Sequence, residues 1–131
     1  MTKNEITVKK EGVVSIIDEK GIGEIVKPLV NEIHLFDTYI AGTSYLKDQE
    51  PLHQIHEGDT LILRREENRF DDKAILILDS ENHKLGYVPE RDNIVFSRLM
   101  DAGKFLSAKV LSIKDLEYMM KISISIYLVD Y

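Results

Sequence analysis

Residues 61–78, with the sequence LILRREENRFDDKAILIL, constrain the fold of this chain more than any other segment. Two apolar runs, 61–63 and 74–78, lie on either side of a connection in which Phe70 is the only residue that is neither charged nor an amide. Short apolar runs bounded by polar residues are typical of neighbouring buried strands. The connection contains no glycine, so a tight hairpin turn that needs positive φ is not expected. We therefore expect a long polar loop that presents one aromatic ring to a flat, polar ligand.

The rest of the chain predicts further strands and one helix. Six segments, including the two above, have the β-branched and alternating apolar residues that strands favour. They are residues 36–41, 60–65, 73–79, 84–88, 105–113 and 121–129. After the fourth strand, Pro89 and Gly103 bracket a helical pattern, because proline suits the first turn of a helix and glycine suits its end. The pattern predicts a mainly β protein of the α+β class, with six mostly antiparallel strands in a small barrel or strongly bent sheet.

The first 33 residues have a different pattern. Residues 6–17 suggest one strand or an arm, whereas residues 22–33 have apolar side chains at the 3–4 spacing of a helix. Pro28 falls inside this spacing and should kink or shorten the helix. We therefore expect two parts, an N-terminal accessory segment over residues 1–33 that is partly helical, and a barrel domain over residues 34–131.

The composition excludes several classes of protein. A net charge of −6 argues against a protein that holds duplex DNA by neutralising many phosphates. Residues 84–131 nevertheless carry 7 Lys and Arg against 6 Asp and Glu, which leaves room for a small basic patch. Without cysteine there is neither a disulfide framework nor a thiolate metal site. Because no apolar run approaches the roughly 20 residues of a membrane span and no signal peptide is evident, we expect a cytoplasmic protein with no membrane partner.

Catalytic motifs are absent from the sequence. There is no glycine-rich phosphate loop and no serine nucleophile motif. His53 and His56 have a metal-like spacing, but without a tied carboxylate pattern a chance pair is the better interpretation. Asp71 and Asp72 are adjacent, so on a strand they would face opposite sides. We expect no enzyme, no cofactor and no bound metal, and a metal-dependent hydrolase or nuclease accessory that uses the two histidines is the weakest alternative.

Several short motifs occur in an order that resembles the HIRAN domain. They are AGTSY at 41–45, GD at 58–59, NRFDDKAI at 68–75, LGYVP at 85–89 and LMDAG at 99–103. The likeness covers residues 36–128 with continuous order and spacing. HIRAN is a module found at the N-terminus of some DNA-repair helicase-like ATPases and as a free-standing protein in bacteria. The resemblance implies an OB-like barrel, a modified form of the oligonucleotide-binding fold.

The resemblance also implies a ligand, the 3′-hydroxyl end of single-stranded DNA. In family members of that kind, two aromatic rings sandwich terminal bases, an aspartate accepts a hydrogen bond from the hydroxyl, and amides and basic groups hold phosphates. Carried over by position, the rings are Tyr45 and Phe70, the acceptor is Asp71 and the amide is Asn68. The full set of expected nucleic-acid-binding residues is Tyr45, Asn68, Phe70, Asp71, Arg64 and Arg91.

Two other interpretations of the same residues stay open. In the first, Phe70 is a plug in the core and its polar neighbours are turn residues that bond the local backbone. In the second, the fold is kept but DNA binding is lost, and the protein is an interaction or regulatory module with a protein partner. The net charge of −6, the carboxylate of Glu67 and the presence of Phe70 where the family has tyrosine favour this second alternative.

Overall fold

Three short strands and one long stretch make up the part of the chain that the structure describes. A computed structural model gives strands β1 (Ile6–Lys10), β2 (Val13–Ile17) and β3 (Val26–Pro28), followed by the continuous stretch 31–130. Strands β1 and β3 each pair antiparallel with β2, in a three-stranded sheet of order β1-β2-β3. Residues 6–17 therefore contain two strands, where the sequence suggests one strand or an arm.

The helix predicted over residues 22–33 is wrong wherever the structure describes this segment. Val26–Pro28 is a strand, and residue 31 begins strand β4 (Asn31–Tyr39). Pro28 is the last residue of β3, opposite Val13, at a strand end where a missing N–H is tolerated. In a helix interior the same proline would remove a hydrogen bond and clash with the preceding turn. The other residues of the predicted helix lie outside the described residues.

The backbone divides into two compact units. One consists of Met1–Ile33 with Val129–Tyr131, and the other is His34–Leu128. That residues 1–33 serve as an accessory segment to a separate binding domain stays a prediction. The expected site residues all belong to His34–Leu128.

The second unit holds all of a six-stranded sheet except residues 31–33 of its first strand and residues 129–130 of its last. Its strands are β4, β5 (Thr60–Arg65), β6 (Ile75–Leu78), β7 (Lys84–Tyr87), β8 (Phe105–Asp115) and β9 (Met120–Asp130). Their order in the sheet is β4-β9-β8-β5-β6-β7. The pairs β5–β6, β5–β8 and β6–β7 are antiparallel. The six predicted strands and their mostly antiparallel pairing are confirmed.

The sheet does not close into a barrel. Strands β4 and β7 are its two edges. Just after β4 the chain forms hydrogen bonds both with β9, its neighbour in the sheet, and with β7 at the opposite edge. The N–H of Ile40 donates to the carbonyl of Ile122 in β9 at 2.9 Å. Ala41 then exchanges two hydrogen bonds with Tyr87 of β7, at 2.8 and 2.9 Å. This pair is an isolated bridge rather than a ladder, so the OB-like sheet is confirmed and the closed barrel is not.

Two glycines allow this close approach. Gly42 has a φ of 76°, in the left-handed region, and turns the chain out of β4 into a short 3-10 helix at Thr43–Tyr45. Gly86 in β7 has a φ of 150°, and a Cβ there would overlap the carbonyl oxygen of Ala41 and the side chain of Ile40. Only glycine accepts both the φ and the contact.

The single helix is confirmed where the sequence predicts it. Helix α1 (Glu90–Asp101) begins after Pro89, and Gly103 follows its end with a φ of 92°. Phe96 of α1 joins the core, and Asn93 is buried as well. The fully buried aliphatic side chains are Leu52, Leu61, Ile75, Ile77, Leu85, Ile122, Ile124 and Ile126. Among the described residues no helix is long and apolar enough to cross a membrane.

Candidate nucleic-acid interface

The loop between β5 and β6 is ordered by its own polar side chains. Asn68 Oδ1 accepts hydrogen bonds from the backbone N–H groups of Phe70 and Asp71, at 2.9 and 2.8 Å. Asp71 Oδ1 in turn accepts one from the N–H of Lys73 at 2.9 Å. Asparagine and aspartate commonly stabilise turns in this way, because their short side chains reach backbone two or three residues ahead. Asn68 and Asp71 are therefore turn residues, as the first alternative interpretation expects.

Phe70, by contrast, is not a core plug. Its exposed fraction is 87%, so that part of the first alternative is wrong. The guanidinium of Arg69 lies 5.7 Å from the centre of the Phe70 ring. Burying a phenylalanine side chain contributes about 1.5–3 kcal/mol to the free energy of folding. Because Phe70 is almost fully exposed, it supplies little of this stabilisation. An ordered loop thus presents an aromatic ring to solvent.

Arg65 ties the base of this loop to α1. Its guanidinium donates two hydrogen bonds to the carboxylate of Asp101, at 2.9 and 3.2 Å. It also donates to the carbonyls of Ala74 and Asp72, at 2.8 and 3.0 Å. The Asp101 carboxylate raises the pKa of Arg65, and the guanidinium lowers the pKa of Asp101. A planar donor with this many partners fixes where the loop leaves β5 and where it returns to β6.

A buried side chain of α1 orients the carboxylate of Asp71. Its Oδ2 accepts a hydrogen bond of 2.8 Å from the Nδ2 of Asn93, whose exposed fraction is 2%. A carboxylate oxygen has two lone pairs, and each oxygen of Asp71 has one protein donor. Asp71 therefore keeps acceptor capacity for a ligand hydroxyl while its position is set by buried structure.

Phe70 stands at a cleft of about 380 Å³, named the Phe70 cleft here. The cleft is lined by Ala41, Gly42, Asn68, Phe70, Asp71, Ala74, Tyr87, Val88 and Glu90. Its volume is in the range of clefts that bind small ligands. Of the six expected site residues, the structure brings together Asn68, Phe70 and Asp71 at this cleft.

Tyr87 and Glu66 are site residues that the sequence does not reveal. The Tyr87 hydroxyl donates to Glu66 Oε2 at 2.7 Å, and the Nδ2 of Asn68 donates to the same oxygen at 3.2 Å. The bond from Tyr87 lowers the pKa of Glu66, while burial and the nearby carboxylate raise the pKa of Tyr87. Gly86 is the one available sequence signal, since a glycine inside a strand marks a close approach of backbone.

Tyr45 lies at a different cleft, of about 490 Å³, named the Tyr45 cleft here. It is lined by Tyr45, Leu46, Lys47, Asp48, Pro51, Asn82, His83 and Lys84. The exposed fraction of Tyr45 is 89%, so it is not a packing residue. Because Tyr45 and Phe70 line separate clefts, a sandwich of one base between these two rings stays a prediction.

The two clefts adjoin along β7. The Nζ of Lys84, which lines the Tyr45 cleft, lies 4.9 Å from the ring centre of Tyr87, which lines the Phe70 cleft. The chain segment that leads from one cleft to the other is also short, because Gly42 lines the Phe70 cleft and begins the 3-10 helix that ends at Tyr45.

Neither expected arginine lines the Phe70 cleft. Arg64 donates to the Oδ1 of Asn82 at 3.2 Å, beside the Tyr45 cleft. Arg91 has its Nε 3.6 Å from Asp92 Oδ2 and its guanidinium 5.4 Å from the ring centre of Tyr39. It lines a third groove, between β4 and α1. Phosphate contacts from these two arginines stay predictions.

The two histidines with metal-like spacing both have exposed side chains. His53 ends the 3-10 helix Glu50–His53, and the Nδ1 of His56 is 3.9 Å from Asp59 Oδ2. Within the stretches that the structure describes, no three histidine or carboxylate side chains are grouped so as to hold a metal ion.

Comparison with known proteins decides the family. The model of the HIRAN domain matches residues 33–129, which is most of the chain. The chain belongs to the HIRAN domain family. The crystal structure of a protein from Lactobacillus plantarum is similar, with 24% identity and a TM-score of 0.71, over 78% of this chain and 99% of that one. The crystal structure of the HIRAN domain of human HLTF is also similar, with 12% identity and a TM-score of 0.61, over 77% of this chain and 79% of that one.

At these identities the two structural likenesses show the fold alone. A comparison with curated protein sequences finds no match. The HIRAN family as a whole is known for DNA-binding modules. The resemblance carried by the short motifs is thus confirmed at the level of the family, and the class of ligand that the family suggests is nucleic acid.

Proposed function

We propose that this HIRAN domain binds the 3′-hydroxyl end of single-stranded DNA in the Phe70 cleft. The observation that carries the proposal is the Phe70 ring, which is 87% exposed on an ordered loop beside the carboxylate of Asp71. Stacking of a base on such a ring contributes about 1–3 kcal/mol and works with any sequence, because every base has a flat face. Family membership supplies the class of ligand.

The charge of the cleft supports an end that carries no phosphate. The lining residues of the Phe70 cleft include Asp71 and Glu90 and no lysine or arginine. A terminal hydroxyl donates a hydrogen bond to a carboxylate, whereas a terminal phosphate is repelled by it. The site therefore favours a 3′-hydroxyl over a 3′-phosphate, and with a net charge of −6 the protein is poorly suited to neutralise duplex DNA.

The test compares one 5′-labelled single strand with a 3′-hydroxyl or a 3′-phosphate, and the same strand blunt-ended in a duplex, by fluorescence anisotropy at one low salt concentration. We expect the 3′-hydroxyl strand to bind at least about tenfold more tightly than the 3′-phosphate strand, since a hydrogen bond to a charged group contributes about 1.5–3 kcal/mol. Tyr118→Ala is the matched control, because Tyr118 is 82% exposed and lines neither cleft. Equal affinity for the two strands, or tighter binding of the duplex, would contradict the proposal.

A second candidate function, a protein-interaction module, is favoured by the groove that Arg91 lines. In that groove Phe36, Ile94 and Val95 expose much of their apolar surface. Arg91 and Arg98 lie three or four residues before and after Ile94 and Val95 on α1, so they share a helix face with them. An amphipathic peptide with apolar and acidic side chains is the partner that fits this face. A designed helical peptide with glutamates around its apolar positions tests this: wild type should bind it, Val95→Glu should not, and a lysine-flanked version should bind neither protein.

A further inference from the structure

The hairpin that joins β8 to β9 ends in an apolar turn. Residues 115–119, named the hairpin tip here, run from the last residue of β8 to the residue before β9. The N–H of Leu116 closes the turn by donating to the carbonyl oxygen of Met119 at 2.8 Å. Tyr118 is 82% exposed between them, and Leu116 and Met119 are exposed as well. Exposed apolar side chains that are grouped in this way, rather than scattered singly, indicate a surface that another molecule covers.

The hairpin tip is acidic as well as apolar. It contains Asp115 and Glu117, which are both exposed, and no lysine or arginine. Lys114 and Lys121 belong to the strands behind it. The tip therefore has the two kinds of side chain, apolar and acidic, that fit the groove between β4 and α1.

This groove, named the Arg91 groove here, has a volume of about 400 Å³. Its apolar wall includes Ile94 and Val95, which are both exposed. Arg91 lines it, and Arg98 is exposed on the next turn of α1. The acidic lining residue is Asp92, which is largely buried and accepts a 2.8 Å hydrogen bond from the hydroxyl of Thr38. The exposed charge beside the groove is thus positive, and it complements the charge of the hairpin tip.

The tip is too far along the sheet to enter the groove of its own chain. Strand β4 runs antiparallel to β9, because Ile40 bonds to Ile122, whereas Asp37, three residues earlier, accepts from Ser125, three residues later. Phe36 of the groove is next to Asp37, and six residues of β9 separate Ser125 from the end of the tip at residue 119. At about 3.3 Å per residue this is roughly 20 Å, which is longer than any side chain. A tip that occupies the groove therefore comes from another copy.

We propose that the hairpin tip of one copy of this chain docks in the Arg91 groove of a second copy. This inference rests on the second candidate function, a protein-interaction module, and names its partner. The apolar side chains of the tip cover Ile94 and Val95, and its carboxylates lie beside Arg91 and Arg98. Because the tip and the groove are different surfaces, the contact is heterologous and the copies assemble head to tail. One tip in one groove is a small interface, so the association is weak and depends on concentration.

The experiment is sedimentation velocity on the full chain without DNA, over a concentration series that reaches the millimolar range. The weight-average mass of wild type should rise above that of one chain and continue past the dimer. Val95→Glu places a carboxylate in the groove against an acidic tip, and Tyr118→Glu places one where an apolar ring is buried, so each variant should remain monomeric. Both residues are exposed, so both variants should melt with wild type. His53→Glu makes the same change in charge at an exposed residue outside the tip and the groove, and it should associate like wild type.

A mixture of the two variants tests whether the tip and the groove are partners. Val95→Glu keeps an intact tip, and Tyr118→Glu keeps an intact groove. An equimolar mixture should therefore form one-to-one dimers and nothing larger, although neither variant associates alone. If the mixture stays monomeric while wild type associates, the copies meet through other surfaces and the inference is wrong.

The designed glutamate peptide separates this inference from the function on which it rests. An excess of the peptide should lower the weight-average mass of wild type, because it occupies the same groove. If wild type binds the peptide but stays monomeric at the highest concentration, the groove binds protein but not a second copy, and only this inference is wrong. If wild type neither binds the peptide nor associates, the second candidate function fails and this inference fails with it.

Discussion

The hydroxyl of Tyr87 donates a 2.7 Å hydrogen bond to Oε2 of Glu66, between residues that are 21 positions apart in the chain. Asn68 donates to the same oxygen at 3.2 Å, and Asn68 also organises the turn that carries Phe70. One carboxylate therefore connects β7 to the loop that presents the exposed ring. The position of the Phe70 loop therefore depends on the Glu66 carboxylate, which does not itself line the Phe70 cleft.

Removing the Tyr87 hydroxyl should destabilise the fold most at neutral pH. Tyr87→Phe takes a donor from an ionised carboxylate, so a loss of about 1.5–3 kcal/mol in the free energy of unfolding is expected. The folded-state pKa of Glu66 is lowered, chiefly by this bond, so the contribution is present above the unfolded pKa and is lost as pH falls through the folded pKa. Urea unfolding of both proteins at neutral and acid pH measures it. A difference that stays the same at both pH values would contradict this account.

Phe70→Ala should separate binding from stability. The loss of one stacked base predicts single-strand binding weaker by about 1–3 kcal/mol. Since the ring is 87% exposed, its removal leaves no cavity and the melting temperature should stay within a degree or so of wild type. A core phenylalanine would instead cost about 3–5 kcal/mol of stability. Anisotropy and thermal unfolding on the same preparation decide the matter, and Tyr118→Ala should change neither quantity.

Gly86→Ala should destabilise the sheet although it adds only one carbon. The new Cβ would overlap the Ala41 carbonyl oxygen, and alanine does not readily adopt a φ of 150°. Overpacking of this kind costs about 1–3 kcal/mol, which chemical denaturation can measure. Gly58→Ala is the matched control for positive φ, because a Cβ at Gly58 meets no atom. If both variants lose the same stability, backbone strain alone explains the effect and the contact with Ala41 does not matter.

The six strands and the helix follow from local patterns in the sequence. Apolar runs, alternation and the residues Pro89 and Gly103 mark them within a few positions, because each signal acts over less than one element. The helix predicted over residues 22–33 is wrong at the residues that the structure describes, for a related reason. Its 3–4 spacing is compatible with short strands, and Pro28 is better accommodated at a strand end than in a helix interior.

The candidate site is only half visible in the sequence, since its parts meet through tertiary structure. Asn68, Phe70 and Asp71 are close in sequence and belong to one motif, so the sequence predicts all three, and all three line the Phe70 cleft. Glu66 and Tyr87 form a hydrogen bond although they are far apart in sequence, and no local sequence pattern predicts such a pair. The separation of Tyr45 from Phe70 results from the direction in which the chain turns at Gly42 after β4, which spacing cannot predict.

His83 should make the stability of the fold depend on pH. The hydrogen bond that the His83 ring donates to the Asp79 carboxylate raises the pKa of His83 above its usual value. The stability that this pair contributes is present below the unfolded pKa and is lost as pH rises through the folded pKa. Asp79→Asn should lower the His83 pKa, measured by NMR, and a pKa that does not move would sink the assignment.

Asp71 is the residue whose substitution tests recognition of the strand end. Its two oxygens accept from the Lys73 N–H and from Asn93, and we expect a third bond from the terminal 3′-hydroxyl. Asp71→Asn removes the negative charge and one acceptor while Phe70 remains. The tenfold or greater preference for a 3′-hydroxyl over a 3′-phosphate should therefore shrink to near unity, because the variant binds the hydroxyl strand less tightly and the phosphate strand more tightly.

The gain with the phosphate strand makes this prediction specific. A variant that merely loosened the loop would weaken both strands, since both stack on Phe70. Asn93→Ala is the matched control, because it disturbs the same hydrogen bond from the buried side and keeps the charge of Asp71. It should lower the melting temperature and retain the preference for the hydroxyl. Anisotropy with both strands at one low salt concentration, together with thermal unfolding of each variant, measures these effects. If Asp71→Asn keeps the wild-type preference, Asp71 does not recognise the end, and the chain is at most a general single-strand binder.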